Sequence, residues 1–158
     1  MTTSTLNPTA WQRTAASRRA LRTLTTAIAA DPAALDEAVR AALPAFDSLD
    51  DLLLQAHAEW ARTVDARIDP LLEAGDADAR GLRRVWDETA RALPGVARLL
   101  AHHDWHPAVV RAHAQHVRRV QRLVGAGLPD GWAVRAREHR PARAVRLGCL
   151  RLPRLRVA

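Results

Sequence analysis

The stretch SLDDLLLQAHAEWARTVDARIDPLLEAG, residues 48–75, decides the fold. Its apolar positions are Leu49, Leu53, Ala56, Trp60, Val64, Ile68 and Leu71. They recur every three or four residues, which puts them on one face of a helix, whereas a strand would alternate with a period of two. Ser48 stands where a side-chain oxygen caps a helix start, and Asp51 three residues on makes a short variant of the capping box. Pro70 is expected to kink the helix or end it late, and Gly75 is the residue type that closes a helix in the left-handed region.

The same grammar extends in both directions. Asn7-Pro8 and Asp31-Pro32 each pair a capping residue with a proline suited to the first helical position. The first pair opens a helix running to about Ala30, with Ala10, Ser17, Leu21, Leu24 and Ile28 inward and Trp11 at the margin. The second opens a helix with Leu35, Val39, Ala42 and Leu43 on one side, stopped by Pro44. Downstream, Asp76 or Asp78 starts a helix whose buried side is Leu82, Val85, Trp86, Thr89 and Leu93, and Pro94-Gly95 breaks it. A short helix carrying Val96, Leu99 and Leu100 leads into His102-His103-Asp104-Trp105-His106-Pro107. A residue before proline avoids helical angles, so this run reads as a loop or a helix start. The last helix runs from Pro107 to about Val124, with Val110, His113, Val117, Val120 and Val124 inward. Five amphipathic helices with short connectors predict an all-α fold, an antiparallel bundle of about five helices, with Trp60 and Trp86 anchoring the core.

Gly125 to Trp132 holds Gly-Ala-Gly and Pro-Asp-Gly, both turn signals, and marks a boundary between a bundle domain (1–131) and a tail (132–158). Charge divides at the same place. The 24 basic residues are all Arg, and the net charge is +7. Sixteen arginines before residue 132 are matched by sixteen acids, so the entire excess falls in the tail. Arg135, Arg137, Arg140, Arg143, Arg146, Arg151, Arg154 and Arg156, against Glu138 alone, form an electrostatic footprint for phosphates. With Trp132 as its single aromatic, this Arg-rich tail, expected to be disordered, would bind nucleic acid nonspecifically or lie on an anionic surface. A third reading is a poorly constrained or frame-shifted extension, because Arg, Ala, Pro and Leu are what alternate frames of GC-rich DNA encode.

Composition excludes several chemistries. Without Lys there is no P-loop lysine and no Schiff base. One cysteine, Cys149, rules out multi-thiolate zinc sites and intramolecular disulfides and fits a reducing compartment, so the expected location is cytoplasmic. None of the three serines sits in a Gly-x-Ser-x-Gly elbow. No stretch of about 18 apolar residues predicts a transmembrane helix. Ser17-Arg18-Arg19-Ala20-Leu21-Arg22 has the outline of a twin-arginine export signal, but the apolar run after it is short and carries threonines, so it reads as ordinary amphipathic helix.

Any site must therefore rest on His, Asp, Glu or Arg, and five of the seven histidines fall between positions 102 and 116. His113 lies near the centre of its helix's apolar stripe, His57 about 40° off the centre of its own, and His116 on a flank. If those two helices are neighbours, His57 and His113 approach each other, and His103 or His106 closes the same end. Two readings compete: core histidines bonded to their surroundings, or a site for a transition metal or haem built from His57, His103, His106, His113 and His116. Glu59, Asp65, Asp87 and Glu88 are expected to face away from the stripes, which argues against a carboxylate-bridged metal centre. Asp47, Asp50 and Asp51 lack the glycine of a calcium loop and read as acids at a helix N-terminus. The sequence assigns no catalytic residue and no required cofactor. It is read first as a non-enzymatic α-helical interaction or regulatory module acting on an unknown protein or on itself. It is read second as a histidine-based metal- or small-ligand-binding bundle, and third as a nucleic-acid accessory protein acting through its tail.

Overall fold

In a computed structural model, which describes residues 8–125, the described residues form six α-helices, most of them bounded by a recognisable signal. Helix α1 spans Pro8–Ala30 and buries Ser17, Leu21, Leu24 and Ile28. Asp31 Oδ1 then accepts from the Ala33 N–H at 2.9 Å, capping a 3-10 turn (Pro32–Ala34) that leads into α2 (Leu35–Ala42). A second 3-10 turn, Leu43–Ala45, forms around Pro44. Helix α3, Leu49–Ala74, continues four residues past Pro70 before Gly75 closes it at φ 73°.

At the start of α3 the Ser48 Oγ accepts from the Asp51 N–H at 3.1 Å. The Asp51 carboxylate reaches back to the Asp47 N–H, one residue beyond the usual capping-box partner, at 3.3 Å. Ser48→Ala removes the acceptor and leaves that amide to water. The expected loss is about 1 kcal/mol, read as a shift in urea midpoint without a change in slope.

Helix α4 spans Ala79–Ala92, and of the two candidate caps Asp78 is the one used, accepting from the Gly81 N–H at 2.7 Å. The short segment after Pro94-Gly95 is a helix of nine residues, α5 (Pro94–His102), which buries Gly95, Val96 and Leu99. Helix α6, Pro107–Val124, is capped by His106, whose Nδ1 accepts from the Ala108 N–H at 3.4 Å. Gly125 closes it at φ 67°.

Helices α3 and α4 form an antiparallel hairpin, in which Trp60 meets Trp86 and Leu71 lies over Gly81. Helices α3 and α6 run the same way: Asp50 meets His106, His57 meets His113, and Asp65 meets His116 and Arg119. Helix α1 closes the other side against α2 and α5. The Arg98 guanidinium on α5 donates to the Ile28 and Ala29 carbonyls at 3.0 and 2.8 Å, placing a cation on orphan groups at the α1 C-terminus. The Ser17 Oγ donates to the Ala45 carbonyl at 2.7 Å and ties α1 to the turn before α3.

The core is one aliphatic cluster in which Ile28, Leu52, Leu53, Val64, Ile68 and Leu99 are sealed from solvent. The α6 stripe differs from the sequence expectation. Val120 is buried as expected, but Val110 is 49 % exposed, and Ala108, Val109 and His116 are buried instead. Two adjacent valines allow two phases, and docking against α3 selects the one that puts Val109 inward. Among the described residues no helix is long and apolar enough to cross a membrane. The expected tail (132–158), its eight arginines and the boundary at 131 lie outside the described residues.

Candidate functional site

Three helices bring five aromatic rings together at mid-bundle. From α3 come His57 and Trp60, from α4 Trp86, and from α6 His113 and His116. The His57 ring centroid lies 6.0 Å from that of His113 and 5.9 Å from that of His116, each pair nearly perpendicular. Trp86 stacks beside His116 at 5.9 Å and meets His113 at 6.2 Å and Trp60 at 6.0 Å. His113 and His116 are one turn apart on α6, so a single position on α3 faces both.

His57 and His116 are both buried, each only 6 % exposed. The His116 Nε2 stands 3.0 Å from the Asp65 Oδ1, while the other oxygen of Asp65 takes the Arg119 guanidinium. A carboxylate only accepts, so His116 donates through Nε2, and in the neutral ring this leaves Nδ1 as a bare lone pair. That Nδ1 is buried and has no hydrogen-bond partner, and the same holds for the His57 Nε2. A buried polar atom without a partner costs about 1–3 kcal/mol, and here two lie in one seam.

The environment keeps these rings neutral. Burial, helped by the neighbouring His113 and His116, pulls the His57 pKa from 6.5 down to about 4. Burial lowers His113, with His116 contributing, and burial lowers His116 as well. At His116 burial outweighs the nearby Asp65 carboxylate. Each folded-state pKa lies below its unfolded value, so the unfolded chain takes up these protons first. Stability is then full above about pH 6.5 and is lost as the pH falls toward 4, at up to about 1.4 kcal/mol per pH unit for each proton. The metal-free protein is expected to melt progressively lower from pH 7 to 5, with a shallower dependence in His57→Phe. A flat melting temperature would contradict the burial of these rings.

Three sequence expectations are corrected. His116, placed on a flank, is buried against α3, and Asp65, expected to face away, engages His116 and Arg119. Both lie at the edge of their own stripes, and an edge position becomes interior only when a neighbouring helix covers it. His103 and His106 do not close the His57 end. His103 is buried at the end of α5, with its Nδ1 3.1 Å from the Leu99 carbonyl and its ring 4.8 Å from that of His102. Burial is the main cause lowering its pKa. His106 caps α6 and sets its Nε2 3.5 Å from Asp50, while His102 reaches Asp36 at 3.3 Å. The five candidate histidines therefore split into a trio (His57, His113, His116) and a separate group at the α5–α6 connection. Among the described residues no three His, Cys, Asp or Glu side chains form a ready-made metal-binding group. An open polar depression lined by Asp76, Asp78, Arg80 and Arg84 lies at the α3–α4 turn, away from the imidazoles.

No protein-family model, curated protein or solved structure matches this chain.

Proposed function

We propose that the chain is a binding module, a helical bundle that takes a transition-metal ion at the α3–α6 seam through His57 and His116, with His113 alongside. The reading rests chiefly on the two buried nitrogens without partners, His57 Nε2 and His116 Nδ1, set on facing helices. The bare atom of His116 is a lone pair, and His57 presents a second in its Nδ1–H tautomer; lone pairs kept in a dry place at an energetic cost are what a nitrogen ligand requires. Imidazole suits zinc, copper, iron and nickel alike. The test is equilibrium dialysis of the purified chain against zinc, nickel and copper, followed by metal analysis. One equivalent of one metal is expected, with loss in His57→Phe and His116→Phe. Retention of metal by both variants, or no uptake of any metal, overturns the reading.

A second reading, interaction with another protein or a second copy, is favoured by Leu54 and Val110. They share a level on α3 and α6 and are 44 % and 49 % exposed, with Trp105 more exposed still in the connection before α6. A concentration-dependent mass in light scattering, abolished by Val110→Glu, would support it for the second-copy case.

A further inference from the structure

Of the three imidazoles at the seam, two carry buried nitrogens without partners, where most biological metals ask for four donors. Structural zinc is held by four protein ligands and catalytic zinc by three plus water. Here Trp86 stacks beside one donor ring, Trp60 packs against Trp86, and both donor rings are only 6 % exposed, which disfavours waters completing a tetrahedron. A d10 monovalent ion is different, because copper(I) is content with two nitrogens in line. Two imidazoles meeting across one ion, with metal–nitrogen bonds of about 2 Å, stand with centroids about 6 Å apart and at any interplanar angle. The His57 and His116 ring centroids are 5.9 Å apart and the planes 88° to each other, a separation of the size such a pair requires.

We propose that the ligand of this seam is copper(I), held between the His57 Nε2 and the His116 Nδ1, with Asp65 as the positioning residue. The proposal rests on the metal-binding reading above and narrows it to one ion. Asp65 acts through His116: by accepting from Nε2–H it fixes the tautomer that bares Nδ1 and sharpens the donor, as carboxylates behind metal-bound imidazoles do. Arg119 anchors that carboxylate from the other side, so the chain of contacts runs Arg119, Asp65, His116, ion. No electron is transferred and no bond of the protein is broken. Copper(I) is bound as such and only displaces solvent.

The test is an anaerobic titration of the full chain with copper(I), in competition with the chromophoric chelator bicinchoninate. One equivalent is expected to leave the chelator and to quench the fluorescence of Trp60 and Trp86. His57→Phe and His116→Phe are expected to weaken binding at least about 100-fold, and Asp65→Asn about 10–100-fold, the range usual for the partner behind a metal-bound histidine. Asp65→Asn should leave the melting temperature near that of the parent while making copper binding more sensitive to acid, and Asp65→Glu should recover part of the affinity. His103→Ala and Cys149→Ser should bind as the parent does, which excludes the α5–α6 histidines and the lone thiol. Should a Phe variant fail to fold, His57→Gln provides the same arm. Copper(I) binding that survives loss of His57 overturns the proposal. If zinc or nickel binds in a His57-dependent way and copper(I) does not, the copper assignment falls while the metal-binding reading stands. If no ion binds in a His57-dependent way, both fall.

Discussion

Trp60→Ala is expected to lower the unfolding free energy by about 3–5 kcal/mol, the range for emptying a large buried aromatic site. Trp60 is 6 % exposed, sits at the middle of α3 and packs edge-on against Trp86, 6.0 Å away on α4. The substitution removes apolar area and an aromatic pair, and it leaves a void between α3 and Trp86 of α4. A domain of this size is held by about 5–15 kcal/mol in total, so one change of this kind takes a large share. Urea denaturation followed by circular dichroism measures it. Trp11, 74 % exposed, provides the contrast, and Trp11→Ala should shift the midpoint little. A Trp60→Ala protein as stable as its parent would mean that α3 does not bury this face.

Gly95→Ala is expected to be the most damaging small change. On an exposed helix the replacement would gain roughly 1 kcal/mol from propensity alone. Here a Cβ would stand 2.6 Å from the carbonyl carbon and 2.8 Å from the Cα of Thr25, with the Thr25 carbonyl oxygen closer still. Those atoms belong to the α1 backbone and cannot turn aside as a side chain could. Overpacking typically costs about 1–3 kcal/mol and sometimes more, and this position belongs at or above the top of that range. The α1 and α5 helices would have to separate, carrying Arg98 off the α1 C-terminus. Equal or higher stability on urea denaturation would show that the two backbones do not approach this closely.

The helices were legible because their signals are local. Asp31, Ser48, Asp78 and Gly75 each act within three or four residues, and all four do in the structure what their types imply. The α3 stripe was legible for the same reason, since seven apolar residues in helical phase leave one face to bury. The α6 stripe was less so. Val109 and Val110 are adjacent, and nothing in the sequence says which of them points at α3. Gly95 shows the limit most clearly: Pro94-Gly95 does separate α4 from α5 as its residue types imply, but that it is glycine because the α1 backbone touches it could be seen only in the assembled bundle.

The site divides along the same line. His57 and His113 as neighbours followed from helical phase, given that α3 and α6 pack. The burial of His116, the turn of Asp65 toward it and the reach of His106 to Asp50 did not follow, since each depends on a partner more than 40 residues away in the chain. What this sequence settles unaided is where its helices begin and end and which residue types are on hand for chemistry, because capping and periodicity are short-range forces. The packing of α3 beside α6 settles which imidazole nitrogens are bonded and which are left bare, because burial and hydrogen bonding between helices depend on distances that only the assembled bundle has.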